Sequence, residues 1–168
     1  MTTTVCNPAK KPGLEPIAGT DPEVLILGSY PSRQSLAKGE YYGNPQNQFW
    51  KIMEILHGID HTLPYSSRIS CLVKRRIALW DVLATCARDG SADTAIRDPV
   101  PNDIRGFLAA HQTIRCIALN GTAAGRYFSR MNPGIPGTIL PSTSPAYARM
   151  TLAEKTRKWA CVLTRHSQ

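Results

Sequence analysis

The segment EVLILG, residues 23–28, decides the fold that we predict for this chain. It is a short apolar run that ends in glycine, a pattern typical of a strand buried on both faces of a parallel sheet. We predict three further strands, in the segments RIALWDVL (76–83), TIRCIALN (113–120) and GTILP (137–141). Together these segments predict a sheet of four strands.

Helical patterns lie between the predicted strands. One face of a helix after Pro45 carries Phe49, Ile52, Met53 and Leu56, which are expected to face the core. We also predict helices around ISCLVKR (69–75), PNDIRGFLAAH (101–111, with Asn102 near its start) and GTAAGRYFSRM (121–131), and a last helix that begins with a capping box at Thr151 and Glu154. Strands that alternate with helices predict an α/β fold with helices on both faces of a parallel sheet.

The length and the charge of the chain limit its class. A chain of 168 residues with 42% hydrophobic content fits one globular domain. Lysine and arginine number 20 against 12 acidic residues, so the net charge is +8, a balance that attracts phosphate polymers. Nucleic acid is therefore the expected partner. Charge alone leaves open a basic protein with no polyanionic partner.

The cysteines and histidines do not form a recognisable metal or disulfide pattern. The cysteines are Cys6, Cys71, Cys86, Cys116 and Cys161, an odd number without a C-x-x-C pair. The histidines are His57, His61, His111 and His166, and they lack metal-ligand spacing. With no apolar run of membrane length and no signal peptide, we expect a reduced, cytoplasmic protein with no metal and no membrane association.

Unusual residues gather at the ends of the predicted strands. The four strand ends are GSYPS (28–32), LWDV (79–82), LNG (119–121) and LPSTSPAYA (140–148). The segment GEYYGNPQNQFW (39–50) follows the first strand and is expected over the same edge. Since ligands of open α/β sheets bind beyond the carboxyl ends of the strands, these segments predict one cleft.

In their order along the chain, LILGSYPS, YYGNPQNQFW, LWDV, LNG and LPSTSPA resemble the motifs of the uracil-DNA glycosylase superfamily. The match is closest to its hypoxanthine-DNA glycosylase branch, also called family six, and covers roughly residues 20–165. The resemblance implies a three-layer α/β/α sandwich around a four-stranded, mainly parallel sheet. We expect an N-terminal extended segment at 1–19 and a single glycosylase domain at 20–168.

The resemblance also implies the reaction. A glycosylase turns a deoxynucleotide out of DNA, holds its base and hydrolyses the bond from base to sugar. We expect a DNA partner that contains deaminated bases, with hypoxanthine as the first substrate and uracil as the second. No catalytic lysine or cofactor motif stands in these segments, so a monofunctional, cofactor-free enzyme is expected. The resemblance in fold implies a monomer.

Asn47 is the expected catalytic residue. We predict that Asn47 lies in the first helical turn, about 200° round from Phe49, and that it points away from the core. The resembling branch uses the asparagine of its P-x-N-x-F-W pattern, and Asn47 matches it. Asn44, which precedes Pro45, is interpreted as the cap of this helix. Asn47 is expected to position the attacking water and to stabilise charge in the transition state.

Tyr30 departs from the superfamily pattern, in which many members carry Asp or Asn at this position to activate water. A tyrosine with a free pKa of about 10 is a poor base. Asn47 cannot take a proton either, and no pair of carboxylates is evident. A dissociative reaction is therefore expected, in which the base leaves first and water then traps an oxocarbenium-like sugar.

The remaining base-binding residues follow from the resemblance: Gly28, Ser29, Tyr30, Tyr42, Asp81 and Asn120. Tyr42 takes the position that stacks on the flipped base in relatives, with Tyr41 beneath it. An ionised Asp81 can accept the N1 hydrogen of hypoxanthine and would disfavour adenine. A structural role for Asp81, as a cap or an arginine partner, remains open, and Asn120 is expected to shape the pocket.

The last motif is expected to bind DNA. The residues Pro141, Ser142, Thr143, Ser144, Pro145 and Ala146 form a loop whose hydroxyls and amides can hold phosphates. A plain connection between strand and helix is the alternative for this loop. For the whole chain, two other functions remain open: a non-catalytic module that binds damaged or single-stranded DNA on the same fold, and an RNA-directed enzyme.

Overall fold

The structure is a computed structural model that describes residues 10–164. Cys6 and His166 lie outside the described residues. The elements in chain order are β1 (Lys11–Pro12), β2 (Val24–Gly28), α1 (Arg33–Lys38), α2 (Phe49–His57), α3 (Tyr65–Lys74), β3 (Ile77–Asp81), β4 (Leu83–Ala87), a 3₁₀ turn (Asp93–Ala95), β5 (Arg97–Pro101), α4 (Ile104–Ala110), β6 (Cys116–Asn120), α5 (Thr122–Met131), β7 (Gly137–Leu140) and α6 (Leu152–Leu163).

The central sheet has four strands in the order β3-β2-β6-β7, and every neighbouring pair is parallel. Strand β2, which forms within the segment EVLILG, lies between β3 and β6, and all five of its residues are buried. The predicted four-stranded parallel sheet is confirmed. Its carboxyl ends meet at one edge, as the cleft prediction requires.

Two hydrophobic cores cover the two faces of this sheet. Leu25 and Leu27 of β2 pack on one face with α4, α5 and β4. Val24 and Ile26 pack on the other face with α2, α3 and α6. Because alternate residues of a strand point to opposite faces, an all-apolar strand supplies both cores. The three-layer arrangement is confirmed.

A second, antiparallel sheet of order β1-β4-β5 was not predicted. The predicted strand 76–83 is wrong at its end, because β3 stops at Asp81 and β4 begins at Leu83. Val82 lies between them, and its N–H donates to the Gly28 carbonyl at 2.8 Å. The chain thus leaves the central sheet directly after Asp81, which places this carboxylate at a corner between two sheets.

The predicted start of α2 is also wrong. Asn44 does not cap the helix, which begins at Phe49 with Gln48 at the N-cap. Instead, the Asn44 side chain accepts the Gln46 N–H at 2.9 Å, and its carbonyl accepts the Asn47 N–H at 2.9 Å. These bonds close a separate turn before the helix. Asn47 therefore lies in that turn and not in the first helical turn.

Other boundaries shift by a few residues. The helix predicted from 101 begins at Ile104, and Asp103 caps it by accepting the Gly106 N–H. The strand predicted from 113 begins at Cys116. The capping box of α6 is confirmed, since Thr151 and Glu154 bond each other's backbone N–H.

The amino-terminal part of the described chain lies on the domain. β1 pairs with β4, and Ile17 forms a bridge to Leu79 of β3. The proposed division at residue 19 stays a prediction. The four cysteines between residues 10 and 164 are unpaired. Within the same range, no helix has the length and the apolar character needed to cross a membrane.

Candidate active site

A cleft of about 90 Å³ opens to solvent at the carboxyl edge of the central sheet. Ten of the predicted site residues line it: Gly28, Ser29, Tyr30, Tyr42, Asn47, Asp81, Asn120, Ser142, Thr143 and Ser144. The other three, Pro141, Pro145 and Ala146, belong to the same loop but are not part of the lining. Strand ends that are far apart in sequence thus meet around one small space.

Gly28 and Asp81 form the floor of the cleft, at the ends of the paired strands β2 and β3. A Cβ at Gly28 would collide with a carboxylate oxygen of Asp81 and would lie 3.5 Å from the Tyr42 hydroxyl. Only glycine therefore lets the Asp81 carboxylate approach β2 this closely. The Asp81 carbonyl accepts a bond from the Asn102 side chain at 2.8 Å, which holds the strand end in place.

The Asp81 carboxylate is buried without adequate partners. Its Oδ2 atom finds no hydrogen-bond partner among residues 10–164. Burial, followed by the nearby Asp93 carboxylate, raises the pKa of Asp81 from 3.8 to about 7, although Arg88 acts in the opposite direction. A buried acceptor without a partner is costly, so a ligand N–H at this point would relieve the cost.

Asp93 was missed by the sequence analysis. It begins the 3₁₀ turn after β4, and its carboxylate accepts the Ser29 hydroxyl at 2.6 Å. This bond ties the second sheet to the end of β2 and places a second negative charge near Asp81. The sequence carried no clear signal for it, because the turn belongs to the sheet that was not predicted.

Tyr30 lines the cleft, and its hydroxyl is already hydrogen-bonded within the protein. The hydroxyl donates to the Lys11 carbonyl at 2.6 Å, and the Arg88 guanidinium lies 4.9 Å from the ring centroid. Burial, the largest cause, raises the pKa of the Tyr30 phenol above its ordinary value. The phenol is therefore a wall and an anchor for β1, and it cannot serve as a base.

Tyr42 has a backbone conformation that is rare for a bulky residue. Its φ is 55°, in the left-handed region, which costs a non-glycine residue roughly 1–2 kcal/mol. The ring stacks on Phe49 with centroids 4.0 Å apart and an interplanar angle of 22°. Its hydroxyl is buried without a partner among the described residues. The strained backbone directs this ring over the floor of the cleft.

Tyr41 is a structural anchor beside Tyr42. Its hydroxyl donates to the Glu15 carbonyl at 2.8 Å, and its carbonyl accepts the indole N–H of Trp50 at 3.1 Å. Its own N–H donates to the Tyr65 hydroxyl. These bonds fix the backbone from which Tyr42 projects.

Asn47 faces the cleft from the turn before α2. Its carboxamide oxygen accepts the Phe49 N–H at 2.9 Å, and the side chain is half-buried. This bond orients the amide and leaves its NH₂ group as a donor toward the cleft. An amide in this position can donate to an anion or to a water molecule, but it cannot remove a proton.

The carboxamide of Asn120 forms hydrogen bonds with the loop that follows β7. Its Nδ2 donates to the Thr143 hydroxyl at 3.0 Å, and its Oδ1 accepts the Thr143 N–H at 3.0 Å. Thr143 is completely buried. This reciprocal pair closes one wall of the cleft, so Asn120 shapes the pocket through the loop.

The 141–147 loop is fastened at several points. The Pro141 carbonyl accepts the Trp159 indole N–H at 3.0 Å, and the Thr143 carbonyl accepts the Gln48 N–H at 3.0 Å. Lys155, which is 2% exposed, donates to the Tyr147 carbonyl at 2.8 Å. The loop therefore presents its exposed residues, Pro145 and Ala146, on a rigid support.

One group of side chains outside the cleft has the composition of a metal site. Glu54, Asp60 and His61 bring one ligand atom each within 4.8 Å of one another near the end of α2. Asp60 and His61 are exposed, and His61 already contacts the Glu54 carboxylate. None of the three lines the cleft.

Comparison with known proteins gives one consistent result. The family model described as the Uracil DNA glycosylase superfamily matches residues 16–163. The chain is 36% identical over 156 residues to the Hypoxanthine DNA glycosylase of Methanosarcina acetivorans, which covers 90% of this chain and 97% of that relative. It is 33% identical over 153 residues to the Hypoxanthine DNA glycosylase of Methanosarcina barkeri, with 90% and 96% covered.

A solved structure agrees with these matches. The solution NMR structure of a protein from Methanosarcina acetivorans, provisionally named a uracil DNA glycosylase, superposes with a TM-score of 0.84. The sequences are 33% identical, and the superposition covers 95% of this chain and 100% of that one.

Proposed function

The chain belongs to the Uracil DNA glycosylase superfamily, and we propose that it removes hypoxanthine from DNA by hydrolysing the bond between the base and its deoxyribose. As a member it is a DNA glycosylase, a hydrolase of N-glycosyl bonds, and DNA is its substrate. The proposal goes further in naming the base and the residues that act on it. The observation that carries it is the unpaired Asp81 carboxylate oxygen at the floor of the cleft.

Base recognition begins with extrusion of the nucleotide. Extrusion costs a few kcal/mol of lost stacking and pairing, and stacking on an aromatic ring returns about 1–3 kcal/mol. The Tyr42 ring lines the cleft and is backed by Phe49 at 4.0 Å. A flipped base that stacks on Tyr42 would extend this pair of rings into a stack of three.

Asp81 reads the edge of the base. Its ionised carboxylate accepts hydrogen bonds only, so it pairs with the N1 hydrogen of hypoxanthine and opposes the N1 acceptor of adenine. Guanine also carries an N1 hydrogen and must be excluded by the space that its 2-amino group requires. Uracil offers an N3 hydrogen to the same carboxylate and is the second substrate.

Asn47 acts on the reaction itself. The bond from C1′ to the base nitrogen breaks with its electron pair leaving on the base, and water then adds to C1′. The water proton passes to the base or to solvent. A fixed NH₂ donor of Asn47 holds the water oxygen or stabilises the departing anion, which is how an uncharged amide accelerates such a step. No base is needed before the sugar becomes electrophilic.

The enzyme is proposed to be monofunctional and free of cofactors. No lysine stands among the residues that line the cleft, and a lysine amine is what a strand-cleaving glycosylase uses to form a Schiff base with the sugar. Borohydride should therefore trap no covalent complex with DNA. We further propose that the protein acts as a monomer in the cytoplasm, where the four unpaired cysteines between residues 10 and 164 would stay reduced.

Single-turnover excision tests the function. Duplexes that differ only in one deoxyinosine, deoxyuridine or deoxyadenosine are incubated with excess enzyme, and alkali then reveals abasic sites. The expected order of rates is deoxyinosine, then deoxyuridine, with little product from deoxyadenosine. Equal rates for the three, or product from deoxyuridine alone, would overturn the proposed base.

A further inference from the structure

A second cavity, of about 670 Å³, lies beside the cleft, and we call it the basic groove. Three cationic residues line it, Lys11, Arg33 and Arg88, together with the apolar surface of Leu36 and Ala37. Tyr30 lines both the basic groove and the cleft, so its ring is the wall between them.

The cations of the basic groove are not neutralised by acids. Asp89 also lines the groove, but its carboxylate pairs with Arg97 at 3.1 Å. Among residues 10–164, no carboxylate lies within ion-pair distance of Lys11, Arg33 or Arg88. The groove therefore has a net positive charge and attracts an anionic ligand.

Arg88 is held in position, whereas the other two cations are exposed. Its guanidinium donates to the carbonyls of Pro31 and Ser91 and lies over the Tyr30 ring. Lys11 and Arg33 are exposed. A fixed charge beside two adaptable ones suits a polymer of phosphates, which does not require one set geometry at each contact.

The basic groove and the cleft share their borders. Pro31 and Ser32 line the cleft, and the next residue, Arg33, lines the groove. In the connection between β4 and β5, Gly90 lines the groove and Ser91 lines the cleft. A strand whose nucleotide enters the cleft must continue past one of its borders, and this border offers unpaired positive charge.

From this arrangement we propose that the basic groove binds the sugar–phosphate backbone of the strand that carries the flipped nucleotide, directly next to that nucleotide. The apolar surface of Leu36 and Ala37 faces the deoxyribose, and Lys11 and Arg33 face the phosphates. The proposal rests on the proposed function for the flipped nucleotide. It adds a backbone site separate from the 141–147 loop, none of whose residues lines the groove.

The test uses binding to a duplex of three helical turns with a central tetrahydrofuran abasic site, which the enzyme cannot process. Arg33→Ala and Lys11→Ala are compared with Arg115→Ala and Lys74→Ala. The two control residues are exposed and lie before β6 and at the end of α3, at the amino edge of the sheet. Each groove variant should lower the slope of log affinity against log salt by about one, and the controls should leave it unchanged.

A second measurement locates the contact. Shortening the duplex on one side of the abasic site should weaken the wild type, while Arg33→Ala should lose little further affinity on that shortened duplex. Groove variants with the same salt slopes as the control variants would overturn the proposal. So would an Arg33→Ala variant that loses as much affinity on a duplex shortened on either side as it does on the full-length duplex. The binding readout needs no excision, so failure of the proposed base specificity would leave this result intact.

Discussion

The floor of the cleft and the 141–147 loop differ in whether their buried polar groups have hydrogen-bond partners. At the floor, Asp81 Oδ2 and the Tyr42 hydroxyl are buried without partners among the described residues. In the loop, Thr143 is equally buried, yet its hydroxyl and its N–H both bond Asn120. Two segments at the same edge of the sheet therefore differ in how far the protein completes its own hydrogen bonding.

This difference separates a binding surface from its support. An unpaired buried polar group costs about 1–3 kcal/mol, so a fold retains one mainly where a ligand completes it. The floor lacks hydrogen-bond partners at the point where the edge of a base would lie. The buried polar groups of Thr143 in the loop are already hydrogen-bonded, so the loop can hold its shape without DNA.

The largest expected effect is on stability, and it tests whether the buried Asp81 carboxylate at the floor lacks a partner. Burial raises the pKa of Asp81 from 3.8 to about 7, so ionisation of this carboxyl opposes folding. The free energy of unfolding has its full value below pH 4, where the Asp81 carboxyl is neutral in the folded and the unfolded chain. It falls as the pH rises through 7 and the buried carboxyl ionises. Asp81→Asn should remove this loss and raise the free energy of unfolding above pH 7 by up to about 4 kcal/mol.

Denaturant unfolding at several pH values measures the effect. The variant and the wild type should agree in acid and diverge toward pH 8. A wild type that is at least as stable as the variant at pH 8 would show that the carboxylate has a partner and would return Asp81 to a structural role.

The next effect concerns catalysis. Asn47→Ala should slow single-turnover excision by on the order of a hundredfold, because it removes the amide donor at the cleft. Gln46→Ala is the matched control, since Gln46 is exposed in the same turn and does not line the cleft. Equal rates for the two variants would remove the catalytic assignment, provided that circular dichroism shows both to be folded.

A smaller effect concerns the choice of base. Asp81→Asn should weaken the discrimination between hypoxanthine and adenine by about tenfold, a difference of roughly 1.4 kcal/mol, because a carboxamide can turn its NH₂ group toward the N1 acceptor of adenine. In the wild type, discrimination against adenine should weaken as the pH falls through 7, because a neutral carboxyl can donate to the adenine N1. Asp93, Arg88 and Tyr42 surround this carboxyl, and the variant should lack the pH dependence.

The smallest effect tests the completed loop. Thr143→Val removes the hydroxyl that accepts from Asn120 and should cost about 1 kcal/mol of stability. Affinity for DNA should fall severalfold while the rate at saturation changes little. Thr143→Ser keeps the hydroxyl and should restore the affinity. A loss of rate at saturation in the valine variant alone would give the loop a catalytic part.

The sequence predicts the central sheet well, but it does not predict the second sheet or the turn that carries Asp93. The all-apolar run of β2 identifies a strand between two cores, and glycine at its end follows from the approach of Asp81. The second sheet escapes prediction because β5 is RDPVP, an exposed strand with two prolines and no alternation. Asp93 and its bond to Ser29 are lost with it, since no pattern places that turn beside β2.

The turn before α2 shows a different limit. Asn44 followed by proline is a good cap signal, but the same asparagine can instead bond the backbone two residues later, as it does here. That choice moves Asn47 out of the helix and fixes its oxygen on Phe49. Local propensity cannot decide between the two turns, whereas the packing of Phe49 in the core can.

A crystal structure of the Asn47→Ala variant with a deoxyinosine duplex tests the central claim most directly. Slow excision should keep the nucleotide intact, and the base should stack on Tyr42 with its N1 within hydrogen-bond distance of an Asp81 carboxylate oxygen. A base held outside the cleft, or one whose N1 meets another group while the Asp81 oxygen stays unpaired, would contradict the account.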